Sequence, residues 1–76
     1  MTLGSRIKTL RKQKKLTLEQ LAGSKLTKGM LSLIENDKAK PSLESLEHIA
    51  KKLEIELNEL LQEKSISELR EELQQV

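Results

Sequence analysis

A chain of 76 residues, 36% apolar and 34% charged, closes one core and makes at most one domain. With no cysteine and no Phe, Tyr or Trp, it offers no disulfide framework, no thiolate metal site and no aromatic platform for single-stranded nucleic acid. Net charge is +2, no apolar run approaches the roughly 20 residues of a membrane helix, and no apolar stretch follows Arg6 and Lys8 as a secretory signal requires; the expectation is a cytoplasmic protein without a membrane partner.

Apolar residues recur at helical spacing and nowhere at a sustained period of two, which predicts an all-α chain. Leu3, Ile7 and Leu10 form the first stripe, on a helix ending near Lys14 and Lys15. The same segment carries Arg6, Lys8, Arg11, Lys12, Lys14 and Lys15 and no acid, so residues 1–15 hold +6. A second helix opens at Thr17, an N-cap with Gln20 placed to close a capping box and with Leu16 and Leu21 placed for a hydrophobic staple. Gly23 and Ser24 stop it after about two turns. Thr27 repeats the signal for a third helix, with Leu26 and Leu31 as the staple. Leu31 and Ile34 point inward, leaving Lys28, Gly29, Ser32 and Leu33 on the remaining surface.

Asn36 and Asp37 end the third helix, and Lys38 to Pro41 reads as a loop, because Lys40 before a proline is driven from helical geometry. Residues 16–42 net +1. Ser42 caps a fourth helix with the stripe Leu43, Leu46, Ile49, Ala50 and Leu53. A shorter fifth helix is expected over Leu57–Gln62. Ser65 with Glu68 opens a last segment whose Ile66, Leu69, Leu73 and Val76 share one face. Residues 43–76 hold −5. A basic front and an acidic rear suggest one face for polyanions; the alternative is two ordinary solvated helix surfaces.

Two short capped helices joined by a few residues are what a helix-turn-helix needs, and Ala22 is small where they cross. Neither is stable alone, since helix nucleation is costly. Four blocks then carry a family resemblance. Leu16-Thr17-Leu18-Glu19-Gln20-Leu21-Ala22 resembles an L-T-Q-E-E-L-A box, and Thr27 to Glu35 resembles an S-x-x-x-I-S-x-I-E helix. Pro41-Ser42-Leu43 with Leu46, Ile49, Ala50 and Leu53 resembles P-S-L-x-x-L-x-x-I-A-x-x-L. Gly4, Arg6, Ile7, Leu10 and Arg11 resemble G-x-R-I-x-x-L-R. Over residues 3–61 the chain resembles the Xre/Cro-repressor type of helix-turn-helix, the lambda-repressor-like fold. That resemblance implies a five-helix domain over 1–63 binding operator DNA, and residues 64–76 as a dimerisation or linking helix.

Carried over residue by residue, the resemblance implies base reading by Lys28, Gly29, Ser32 and Leu33. Lys28 suits guanine O6 or N7, Ser32 can donate or accept, and Leu33 offers only apolar contact, as to a thymine methyl. Gly29 either admits the DNA backbone closely or is a tolerated surface glycine. Phosphate contacts fall on Thr17, Thr27, Asn36, Lys38 and Lys40, and a buried ion pair on Arg11 and Glu35. Leu18 stands where relatives often carry a phosphate-contacting Gln, so that contact is expected to be missing. The segment from Ala22 to Glu35 is one residue shorter than the common pattern, which resembles peptide-responsive regulators of the PlcR/NprR kind.

A sequence-specific transcriptional regulator acting on double-stranded DNA as a homodimer is therefore expected, without cofactor or metal. The alternatives are an antitoxin or phage-type regulator and a helical protein-interaction module using residues 65–76. No enzyme is read. His48 lacks a second ligand and is expected as a solvated residue of the fourth helix. Glu54, Glu56 and Glu59 accompany no nucleophile, and no glycine-rich phosphate loop is present.

Overall fold

Side-chain caps start the helices. In the computed structural model, which describes residues 2–61, α1 (Leu3–Gln13) begins at Thr2, whose hydroxyl accepts from the Ser5 N–H at 3.1 Å. At α2 (Leu18–Ala22) the capping box closes in both directions: Gln20 N–H donates to the Thr17 hydroxyl at 3.1 Å, and Thr17 N–H to Gln20 Oε1 at 2.8 Å. Thr27 caps α3 (Lys28–Glu35) by accepting from Met30 N–H, and Ser42 caps α4 (Leu43–Lys52) by accepting from Ser45 N–H. A single-turn helix, α5 (Leu57–Leu61), follows. No strand occurs among the described residues.

Three helices end on a residue in the left-handed region: Lys15, Asp37 and Glu54, with φ of 59°, 61° and 60°. The next N–H in each case turns back to a carbonyl of the last helical turn, Leu16 to Arg11, Lys38 to Leu33 and Ile55 to Ala50. This is the Schellman closure, which satisfies carbonyls that a helix end leaves unpaired.

Among the described residues the largest fully enclosed side chains are Ile7, Leu21, Leu31, Ile49, Leu53 and Leu60. Burial of each stabilises the fold by roughly 1.5–3 kcal/mol, and such packing holds helices too short to persist alone. α3 lies against α1 and α2, α4 against α2 and α5, and α5 closes back onto α1.

The structure departs from the sequence reading in two places. Leu43, expected in the inner stripe of α4, is 62% exposed. It is the first helical residue, and side chains lean toward the helix N-terminus, which carries it past the packed turns. His48 is half-buried rather than solvated. The division at residue 63 and the face formed by Ile66, Leu69, Leu73 and Val76 lie outside the described residues.

Candidate nucleic-acid interface

The turn joining α2 to α3 is set by Gly23, whose φ of 58° and ψ of −138° no side-chain-bearing residue adopts comfortably. A Cβ there would also stand 3.2 Å from the His48 ring and 3.2 Å from the Lys52 side chain. Leu26 N–H returns to the Ala22 carbonyl at 3.2 Å, and Ala22 is buried where the helices meet. From α4, His48 Nε2 donates to the Leu21 and Ala22 carbonyls at 3.1 and 2.8 Å. It thereby satisfies the end of α2 and ties the pair to the scaffold.

α3 is held by its inner face. Leu31, Ile34 and Glu35 are buried. Arg11 Nε donates to Glu35 Oε2 at 2.7 Å, Arg11 Nη2 to Glu35 Oε1 at 3.2 Å, and Arg11 Nη1 to the Leu16 carbonyl at 2.8 Å. The two side chains are 12% and 3% exposed. A fork of this kind fixes both angle and distance between α1 and α3. Beyond α3, Asp37 accepts from the Thr2 hydroxyl at 2.6 Å and from Gly4 N–H at 3.2 Å. Gly4 lies so close to the end of α3 that a Cβ would collide with the Ile34 carbonyl and sit 2.8 Å from that of Glu35. The start of α1 thus clamps the end of α3.

Held in this way, α3 turns Lys28, Gly29, Met30 and Leu33 outward, with Ser32 half-buried beside them. Thr17, Thr27, Asn36, Lys38 and Lys40, to which the resemblance gives phosphate contacts, are all exposed. Thr17 and Lys28 line one open cleft with Arg11, Leu18 and Glu19. Leu18 packs against the core margin. The Asn36 amide donates one of its two N–H groups to the Ser32 carbonyl at 2.9 Å and keeps the other for a further partner. Sequence reasoning missed His48, Gly4 and Asp37 as positioning residues. It also missed Met30, whose place three residues before Leu33 was the available signal.

Two short capped helices, a glycine turn and an outward second helix fixed by a buried ion pair define a helix-turn-helix module. The chain belongs to that family: the family model described as a helix-turn-helix domain matches residues 4–66. The family is one of binding domains without enzymatic activity. The chain is 42% identical over 67 residues to the immunity repressor protein of Bacillus phage phi105, a match covering 87% of this chain and 46% of that one. It therefore spans about half the length of this relative. Among solved structures, the restriction-modification controller protein C.AhdI from Aeromonas hydrophila is 33% identical at a TM-score of 0.74, over 78% of this chain and 91% of that one. SinR, a master regulator for biofilm formation solved in complex with DNA, is 35% identical at a TM-score of 0.74, over 80% of this chain and 100% of its own. The fold is the lambda-repressor-like, Xre/Cro type of helix-turn-helix.

Proposed function

We propose that the chain is the sequence-specific, double-stranded-DNA-binding part of a cytoplasmic transcriptional regulator that acts as a homodimer on operator DNA. One observation carries this reading: α3 is anchored along its buried face so that Lys28, Gly29, Ser32 and Leu33 project from one side. A helix roughly 10–12 Å across fits the major groove, which is about 12 Å wide. Entering by its N-terminal end, α3 presents Lys28 to guanine O6 or N7. Thr17 and Thr27 at the helix starts, with Asn36, Lys38 and Lys40, meet phosphates on either side. Similarity to SinR, which was solved in complex with DNA, supports DNA as the partner. Likeness to a phage immunity repressor favours phage-type regulation among the alternatives. Among the described residues no helix is long and apolar enough to cross a membrane.

Selection from a pool of random duplexes tests the reading. The expected product is an enriched motif with two half-sites about 10 base pairs apart, the spacing that a dimer of this geometry requires. Lys28→Ala should weaken binding to that motif by about 1–3 kcal/mol and relax preference at one base pair. An unenriched pool overturns DNA reading, and a motif without half-sites overturns the dimer.

A further inference from the structure

Most of the groups that read base edges by hydrogen bonding are missing from the outward face of α3. Guanine is specified by bidentate Arg or Lys and adenine by bidentate Asn or Gln. Here Glu35 is buried on Arg11, and Asn36 is the C-cap beyond the last helical residue, with one amide N–H already given to the Ser32 carbonyl. What remains within the helix is Lys28 in the first turn, the half-buried Ser32 hydroxyl, and two apolar side chains. Those two are Met30, 44% exposed, and Leu33, 43% exposed. They stand three residues apart, which makes them neighbours on a helix surface. Beside them Gly29 has no side chain, and a Cβ at that position would find nothing within 4 Å. No side chain at Gly29 therefore holds the helix away from a groove floor. On the major-groove edges of the bases, the group suited to an apolar side chain is the 5-methyl of thymine.

We infer that Met30 and Leu33 form an apolar reader of pyrimidine 5-methyl groups, so that this chain selects its sites largely through thymine methyls at neighbouring positions. The inference rests on the proposed DNA-binding reading of α3 and names what that helix recognises. Charge says why the occupant is a duplex. Lys28 precedes the apolar pair and Lys38 follows it, both exposed. Such flanking cations complement phosphates, whereas a second copy docking by the same face would bring like charges together.

The test uses the 76-residue chain and the selected duplex, with each thymine replaced in turn by deoxyuridine. That change removes the methyl and leaves every hydrogen-bonding group in place. Affinity should fall about fourfold at each methyl contacted, the equivalent of one buried CH2 group. In Met30→Ala and Leu33→Ala, each deoxyuridine effect should disappear at the position read by the truncated side chain. Both residues are half exposed, and an unchanged far-ultraviolet circular dichroism spectrum shows that each variant folds. Deoxyuridine that is neutral at every position of a specifically bound motif overturns the methyl reader and leaves DNA binding standing. A pool without any motif overturns both readings. A Leu33→Ala chain that loses self-association in sedimentation yet keeps the deoxyuridine response assigns the face to a second copy and overturns the inference.

Discussion

Glu35 is 3% exposed and its carboxylate takes two hydrogen bonds from the Arg11 fork. Desolvating such a pair costs about as much as its attraction returns, so its presence says more about geometry than about stability. The consequence is asymmetric. Glu35→Leu leaves a guanidinium largely buried without its counter-ion and should destabilise the fold by about 3–5 kcal/mol. Replacing both partners, Arg11→Met with Glu35→Leu, should cost much less than the two single changes summed. Urea unfolding of the three variants measures this, and additive losses would show that the two residues act independently. Arg11 and Glu35 each stand four residues after a buried residue, Ile7 and Leu31, so helical spacing turns both inward; that they pair with each other was legible only through the family resemblance. His48 was not legible at all, because its partners are the main-chain carbonyls of Leu21 and Ala22, and backbone groups leave no mark on sequence.

Helix starts and helix ends differ in the same way. Thr17, Thr27 and Ser42 were read from sequence, since a hydroxyl followed by a helical stripe is a specific signal with a local cause. The ends of α1 and α3 were legible too, near Lys14 and Lys15 and at Asn36 and Asp37, but their left-handed closure was not, because Lys15, Asp37 and, after α4, Glu54 stand where glycine is usual. A non-glycine residue in the left-handed region pays roughly 1–2 kcal/mol. Lys15 is exposed and its side chain appears in none of the hydrogen bonds or ion pairs of the described residues. Lys15→Gly should therefore stabilise the domain by about 0.5–1 kcal/mol, the strain relieved less the extra freedom glycine gives the unfolded chain. Gly23→Ala should act in the opposite direction and by more, since it adds a strained φ and crowds His48 and Lys52. Thermal unfolding of the two variants gives the signs; a lower midpoint for Lys15→Gly would mean that its left-handed geometry carries no strain.

Charge is arranged along the whole molecule, with +6 in the first fifteen residues and −5 from residue 43 onward. The cations nearest the outward face of α3 come instead from the middle of the chain, residues 16–42, which net +1. Lys28 stands on the outward face of α3, and Lys38 and Lys40 stand in the loop that follows it. Acidic Glu44, Glu47, Glu54, Glu56 and Glu59 are exposed on α4, on α5 and around the turn between them. On the proposed reading a polyanion would be drawn to the first set and repelled by the second, an effect that Lys51 and Lys52 on α4 reduce, and this would orient the domain before any base is read. Lys38 and Lys40 would act through this term alone. Each replaced by alanine should weaken binding by the same factor on the selected motif and on random duplex, because a phosphate contact carries no sequence information. Each loss should also reduce the slope of log K against log salt by about 0.9, one counter-ion fewer being released. Lys28→Ala should do something else, weakening the selected motif more than random duplex. Binding titrations at several salt concentrations separate the two behaviours. If Lys38→Ala or Lys40→Ala leaves the salt slope unchanged, the loop after α3 does not meet the DNA backbone, and the proposed orientation of the domain on the duplex is wrong.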